Sequence, residues 1–270
     1  MSRFDFGRNW DTFLAHLDEE RIERATRELR SRFGTETLDG ETFLDFGCGS
    51  GLFSLAAHRL GADRIVSLDY DADSVDCCRR LRANVDADDW DVRRADLLDT
   101  DEIRALDEFD YVYCWGVAHH TGDMWRAIDN LTRLVADGGT LCLGLYQRRD
   151  SGLWNSHRAR RLKRFYNDAP APVRTLLVLG WGSAVLAYRT VRLGENPVRH
   201  VREYEENRGM SFWTDVRDWV GGYPFEFASP EEVRRYFDRE HGAFELLRED
   251  VPSDSPSAVC TYVFRKSGRP

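Results

Sequence analysis

The residues best placed for chemistry begin with Phe43-Leu44-Asp45-Phe46-Gly47-Cys48-Gly49-Ser50-Gly51. An apolar run enters a glycine-rich turn, and a helical pattern follows. Glycines let the backbone take positive φ and let a ligand approach where a Cβ would clash. Such a turn falls at the carboxyl end of a first strand, where doubly wound sheets bind ligands. Asp45 stands just before the glycines. A carboxylate there suits a cationic ligand, such as a sulfonium that also carries an amino group, and would repel a pyrophosphate. A dinucleotide site prefers G-x-G-x-x-G with a helix N-terminus facing phosphate. Here the pattern is D-x-G-x-G-x-G, and Leu52 and Phe53 follow Gly51. A turn with a purely structural role is the alternative.

Three further stretches follow in order. Ile65-Val66-Ser67-Leu68-Asp69 ends a second apolar run on a carboxylate roughly 20 residues after the glycines, the spacing at which an acid accepts hydrogen bonds from two ribose hydroxyls. Tyr70 comes next and is counted with the cofactor contacts; Asp71 and Asp73 read as helix caps. Arg94-Ala95-Asp96-Leu97 places Asp96 to accept from an exocyclic amine of adenine and the Leu97 N–H to meet a ring nitrogen. Cys114-Trp115-Gly116-Val117-Ala118-His119-His120-Thr121 closes the series. Trp115 could wall a pocket. His119 and His120 could take a proton from an acceptor hydroxyl, because imidazole titrates near neutrality. In the alternative, one histidine bonds the loop backbone and the other starts a helix. No Cys/His spacing supports a four-ligand zinc site.

The elements that must position these residues alternate. Strands are expected at 42–46, 64–68, 91–94, 109–114 and 140–146, with helices at 52–60, 74–83 and 124–135, the last ended by Asp137-Gly138-Gly139. Helical crossovers between strands imply parallel pairing. A helix at 11–33 precedes them, with Phe13, Leu14, Leu17, Ile22 and Ala25 on one side and Gly34 as its stop. Residues 150–225 look helical and rich in Arg, Trp and Tyr. Ser229-Pro230 opens a helix to about 237, and strands at 244–247 and 258–264 close the chain. The expected organisation is an N-terminal helical segment (1–40), a Rossmann-like core (41–149), a helical cap insertion (150–228), and a C-terminal helix with a strand hairpin (229–270). The fold class is α/β, a doubly wound, mostly parallel seven-stranded sheet.

Composition sets the outer bounds. The chain has 270 residues, 42% hydrophobic, with a formal net charge of -9. That suffices for a sizeable core and makes wholesale disorder a poor description. An acidic balance argues against nucleic acid as partner, since phosphate binding needs clustered cations. The basic stretch 158–164 reads as a solvated helix face. Six cysteines without a C-x-x-C pair read as buried reduced thiols, and the opening MSRFDFGRNW lacks the apolar core of a signal peptide, so a cytoplasmic location is expected. The longest apolar run, 175–188, is shorter than the ~18 residues a bilayer span needs. It reads as a buried cap helix, with a weak membrane-surface contact as the minority option.

In this order and spacing the four stretches resemble the class I methyltransferases that use S-adenosylmethionine (SAM). FLDFGCGSG resembles that family's first motif, FDYVYCWGVAHHTGD its fourth-strand segment and ADGGTLCLGLY its fifth strand. The resemblance implies that Asp45, Gly47, Cys48, Gly49, Gly51, Asp69, Tyr70, Asp96, Leu97 and Trp115 contact SAM. It implies an enzyme that methylates a small acceptor, with His120 and His119 as the candidate catalytic residues and no metal-ligating residues expected. WGVAHHTGD is similar to the ubiquinone-type O-methyltransferases. Those carry glutamates where Gly116 and His119 stand here; His120 matches. On that likeness the acceptor is a hydroxyl of a quinol-like or other aromatic, lipophilic metabolite. Arg8-Asn9-Trp10 would close over the cofactor, and Trp154, Phe165, Tyr166, Trp181, Trp213, Trp219 and Tyr223 would either line the acceptor side or form the cap's core. The rival readings are an NAD(P)-dependent oxidoreductase, a non-catalytic SAM-fold binding protein and a nucleic-acid methyltransferase. The first wants G-x-G-x-x-G, the second the loss of Asp45 or Asp69, and the third a broad basic face.

Overall fold

The structure is a computed structural model, and it describes residues 17–85, 87–151, 155–208, 211–252 and 259–268. The first described helix, α1 (Glu19–Phe33), starts at Asp18, whose side chain accepts from the Arg21 N–H, and stops at Gly34 in the left-handed region. The expected beginning at residue 11, with Phe13, Leu14 and the Arg8–Trp10 segment, lies outside the described residues. So does Trp154.

Next come β1 (Thr42–Phe46), α2 (Leu52–Arg59), β2 (Arg64–Asp69), α3 (Ala72–Arg82), β3 (Trp90–Arg94), α4 (Thr100–Arg104), β4 (Phe109–Trp115), α5 (Met124–Arg133) and β5 (Val135–Tyr146). The cap contributes α6 (Ser156–Asp168), α7 (Ala171–Leu193), α8 (Pro197–Arg208) and α9 (Phe212–Gly221). Then α10 (Pro230–Glu240), β6 (Phe244–Asp250) and β7 (Val259–Lys266) complete the chain. The seven strands form one sheet in the order β3-β2-β1-β4-β5-β7-β6. β1 to β5 pair parallel, and β7 runs antiparallel between β5 and β6. The order reverses at β1, and the carboxyl ends of β1, β2 and β4 meet at that switch point.

Helices cover both faces. Leu44, Phe46, Val112 and Leu143 pack with Ile128 and Leu131 of α5 and Phe237 of α10 on one side. Phe43, Tyr113 and Cys142 pack with Leu29 of α1, Leu55 of α2 and Val75 of α3 on the other. Both faces being buried explains why these strands read as nearly continuous apolar runs. Ser229 caps α10 in a reciprocal capping box with Glu232, Pro230 entering its first turn. Of the two expected caps, Asp71 accepts from the Asp73 and Ser74 N–H groups, while Asp73 merely sits in the first turn.

Two expectations are corrected. Residues 135–139, assigned to a helix end and turn, belong to β5, which starts at Val135 and pairs with β4 through an irregularity between Phe109 and Tyr111. More consequentially, the apolar run 175–188 is not a buried helix. It lies within the 23-residue α7, of which only Gly182 is buried. Among the described residues the apolar neighbours of α7 lie along one face. There Leu177, Val178, Trp181, Val185 and Leu186 pack with Tyr166, Phe212, Val216 and Val220.

Candidate active site

The site is built from the β1 bend outward. Gly47 and Gly51 have φ of 81° and 83°, a region that other residues rarely enter. Each is also crowded by the chain itself. A Cβ on Gly47 would lie 2.1 Å from Val117 Cγ2, and one on Gly51 would lie 2.6 Å from Cys78 Sγ. The crowding at these two positions therefore comes from the β4 loop and α3, whereas the sequence reading had assigned it to a ligand. Cys48 is buried beside Cys78. Gly47 and Cys48 both donate to the Leu68 carbonyl (2.7 and 3.1 Å), which ties the bend to β2.

Asp69 completes that tie. Its Oδ2 accepts from the Gly49 N–H at 3.0 Å and its Oδ1 from the Asp71 N–H at 2.9 Å. A carboxylate has about four acceptor positions, and with the Tyr70 N–H also donating about one remains for a donor such as a ribose hydroxyl. Burial raises the Asp69 carboxyl to about 6, against the hydrogen bonds from Asp71 and Gly49.

Asp45 lies deeper and is 2% exposed. A directed chain of hydrogen bonds ends on it. The Trp90 indole N–H donates to Ser67 Oγ (2.7 Å), Ser67 Oγ lies 2.6 Å from Ser54 Oγ, and the Ser54 hydroxyl donates to Asp45 Oδ2 (2.6 Å). An indole can only donate and a carboxylate only accepts, so every hydroxyl in the chain points toward Asp45. Burial still wins over Ser54 and raises the Asp45 carboxyl to about 7, with the nearby Asp69 charge adding to it. This qualifies the electrostatic argument from sequence, in which a carboxylate at Asp45 suits a cation and repels a pyrophosphate. In the free protein its charge is conditional.

The other sequence candidates fall on the same edge. Asp96 Oδ1 accepts from the Leu98 N–H (2.9 Å), and the Leu97 carbonyl accepts from Asn130 Nδ2 of α5 (2.8 Å), which fixes the loop after β3. Tyr70 is 43% exposed, with the Arg94 guanidinium 5.2 Å from its ring centroid. Trp115 differs from expectation. Its indole lies across Gly144, donates to Thr261 Oγ1 (3.0 Å) and has Arg32 stacked 4.6 Å from its centroid. The chain's own groups occupy the ring that was expected to wall a pocket.

His119 and His120 occupy a single 3-10 turn. His119 is fully buried, and its Nδ1 accepts from the Tyr146 N–H at 3.2 Å. His120 Nδ1 lies 2.6 Å from the Pro224 carbonyl. A carbonyl only accepts, so this nitrogen donates and the basic lone pair of His120 resides on Nε2. Burial holds both imidazoles low, His119 well below its usual value and His120 at about 4. The premise that these rings titrate near neutrality is overturned: both are neutral at physiological pH. Both bond the backbone, as the alternative reading required of one of them.

What the sequence could not show is the return of residues 223–228 to this turn. Glu226 donates its N–H to the His119 carbonyl (2.9 Å), and Ala228 donates to the Tyr146 carbonyl (3.1 Å). Phe225 is thereby held 4.9 Å from the Tyr146 ring and 6.5 Å from the His120 ring. Beside it opens a narrow cleft lined by Tyr146, Arg149, Asn155, Ser156, Trp219 and Phe225, with about 10 Å³ at its centre, room for about one water. Lys163, grouped by sequence with a solvated basic face, is 2% exposed behind this wall. Its ammonium donates to the Trp219 carbonyl and sits 4.9 Å from the rings of both Trp219 and Phe225. Burial lowers it to about 7. Helical spacing contained the signal, because Ser156, Ala159, Lys163 and Tyr166 share one face. Of the expected lining aromatics, Trp219 reaches the cleft, Tyr166 and Tyr223 are buried in the cap, and Phe165 is 56% exposed.

Residues 44–141 match the family described as a methyltransferase domain. That span runs from β1 to the middle of β5 and contains the four stretches except for Phe43. Curated relatives match over short segments: ribosomal protein L11 methyltransferase of Tolumonas auensis is 45% identical over 42 residues, 16% of this chain and 14% of its own length. A protein N-terminal and lysine N-methyltransferase of Yarrowia lipolytica is 35% identical over 75 residues, 27% of each chain. The chain thus spans about a seventh to a quarter of these relatives. Among solved structures, magnesium protoporphyrin IX methyltransferase of Synechocystis, with bound S-adenosylhomocysteine (SAH), aligns with a TM-score of 0.52 at 14% identity, covering 99% of this chain and 90% of its own. The N-methyltransferase NodS of Bradyrhizobium japonicum, also with SAH, gives 0.51 at 14% identity, over 90% and 86%. The fold is the Rossmann-like SAM methyltransferase fold, including its seven-stranded, mostly parallel sheet.

Proposed function

We propose that the chain is a SAM-dependent methyltransferase acting on a small-molecule acceptor, at a hydroxyl oxygen of an aromatic or lipophilic compound. The observation that carries this reading is the convergence of two carboxylates on one bend. Asp69 grips the Gly49 amide with an acceptor position to spare, and Asp45 stands buried behind the same glycines. The first fits a ribose hydroxyl and the second a cationic sulfonium and amine. SAM supplies a methyl group on sulfur and leaves as a neutral thioether, so no acid is needed at the leaving group. The protein's share is to orient the acceptor and exclude water. His120 suits orientation: the bond from Nδ1 to the Pro224 carbonyl fixes its ring against Tyr146 and Phe225. With a conjugate acid at about 4 it is a weak base, so positioning outweighs proton abstraction in its role, and the acceptor hydroxyl's proton passes to solvent, which an acidic phenol allows before the methyl moves. The choice of a small hydroxyl acceptor rests on the likeness of the WGVAHHTGD segment to the ubiquinone-type O-methyltransferases.

Titration calorimetry with SAM and with NAD tests the cofactor. Saturable binding of SAM and none of NAD is expected; the reverse would overturn the reading. Mass spectrometry of products formed from SAM with a panel of phenols and with protein substrates tests the acceptor. Methylation confined to proteins would reject the small-molecule part.

A further inference from the structure

The least covered part of the fold is α7. Residues 175–188 contain no charge, and the helix is one that length and composition alone would allow to cross a membrane. One face is spoken for, since Trp181 stacks on Trp219 with 4.3 Å between centroids. Gly182 lets the Trp213 ring approach so closely that a Cβ would lie 2.4 Å from it. On the other side Leu176, Leu179, Ala184, Tyr188 and Val191 recur at three- to five-residue spacing. Leu176 is 68% exposed, Tyr188 61% and Val191 81%. A helix facing water carries its polar residues on such a side. Here the polar residues are the uncharged Ser183 and Thr190, and the charges of the helix are the exposed Arg174 and Arg192 near its ends and the half-buried Arg189, which pairs with Glu195.

Charge complements this stripe. Residues 156–202 hold ten Lys and Arg against Asp168 and Glu195, a net of +8 within a chain of net -9. The arginines of α6, at positions 158, 160, 161 and 164, are all exposed. We propose that α7 docks in the plane of an anionic bilayer, its bare stripe entering the boundary between headgroups and acyl chains while the surrounding arginines meet lipid phosphates. Two features select this occupant. A second copy would bring two strongly positive segments together, and a nucleic acid would leave the apolar stripe without a partner. The helix lies flat on the surface and does not span, because Trp181, Val185 and their neighbours hold its inner face on the folded cap.

The test is co-sedimentation of the full chain with vesicles of phosphatidylcholine alone or containing about a third phosphatidylserine. Binding is expected to the anionic vesicles and to be at least ~10-fold weaker to neutral ones. It should fall both in Leu176→Asn with Leu179→Asn and in Arg160→Gln with Arg161→Gln and Arg164→Gln. SAM affinity, measured in parallel, shows that each variant is folded. Equal binding to both vesicle types, no binding to either, or binding unchanged by the leucine replacements would each overturn the proposal. So would an oligomer in sedimentation velocity that the leucine replacements abolish, which would assign the face to self-association. Resistance of the bound protein to alkaline carbonate would mean that α7 spans the bilayer.

Discussion

The conditional charge on Asp45 makes cofactor binding depend on pH in a calculable way. Burial raises this carboxyl to about 7 in the free protein, so the protonated form dominates below that pH. A cationic ligand selects the ionised form, and its binding must expel the proton wherever the proton is present. With a value of about 7, roughly nine in ten molecules are protonated at pH 6 and roughly one in ten at pH 8; the difference weakens binding about tenfold, or about 1.4 kcal/mol, at the lower pH. Asp69, raised to about 6, adds roughly twofold in the same direction. The affinity for SAM should therefore fall about 20-fold from pH 8 to pH 6. Calorimetry in buffers of different ionisation enthalpy should also detect more than one proton released per SAM bound at pH 6. Asp45→Asn should bind weakly and retain only the small Asp69 share of the pH dependence. Ser54→Ala is the sharper variant. It removes the hydrogen bond that stabilises the ionised form, so the loss of affinity should begin at a higher pH than in the parent. A constant affinity from pH 6 to pH 8 with no proton release would refute the reasoning, as would a Ser54→Ala profile that coincides with the parent's.

Other outcomes follow from single contacts. Asp69→Ala should weaken SAM binding by about 1–3 kcal/mol, the range for losing a charged hydrogen-bond partner, as read by calorimetry; unchanged affinity would remove Asp69 from the ribose site. His120→Ala should lower turnover more than SAM affinity, and at saturating SAM, where the Asp45 and Asp69 effect on affinity drops out, the rate of the parent should show no inflection between pH 6 and 8, because that imidazole is already neutral. Gly51→Ala forces a Cβ to within 2.6 Å of Cys78 Sγ at a φ of 83° and should cost about 1–3 kcal/mol in chemical denaturation; Cys78→Ala should recover part of the loss, and no recovery would place the cost elsewhere. Lys163 is held lower when folded than in the unfolded chain, so its contribution to stability should rise with pH between about 7 and 10. Lys163→Met should flatten that slope in the melting temperature, and a slope equal to the parent's would mean the ammonium is not buried as described.

How much of this was legible depended on how far apart the determining residues lie in the chain. The β1 bend, Asp69 and the alternation of strands and helices could be read because the central strands are buried on both faces and each is separated from the next by a helix with its own start and stop. Those signals are local. The place of the histidine pair just after β4 was legible, but not its protonation. The burial that holds His120 at about 4 comes with Pro224 and Phe225, which return to it from about 100 residues away. No spacing near residue 120 announces them. Likewise a run of apolar residues at 175–188 carries the same pattern whether one face of the helix is covered or all of it. The deciding fact, that the apolar neighbours of α7 lie along one face, belongs to the arrangement of α6 and α9 around it.

Asp45 shows the same limit inside the best-read motif. Its place before the glycines was evident, yet its charge depends on Ser54 one helix later, Ser67 on the neighbouring strand and Trp90 on the strand beyond. Each of those residues, taken alone in sequence, is an ordinary core or helix position. Only the sheet register, which sets Asp45 opposite Ser67 and Ile65 opposite Trp90, assembles them into a relay. If that relay holds the carboxylate ready for a cation, then Trp90→Phe should raise the pH at which SAM binding is lost without touching the binding surface. The indole N–H is the donor that starts the chain, and its removal leaves Ser67 free to turn away from Ser54. The expected displacement is smaller than for Ser54→Ala, because the Ser54–Asp45 bond itself survives. A larger displacement in Trp90→Phe than in Ser54→Ala would mean that packing, and not the directed hydroxyls, governs Asp45.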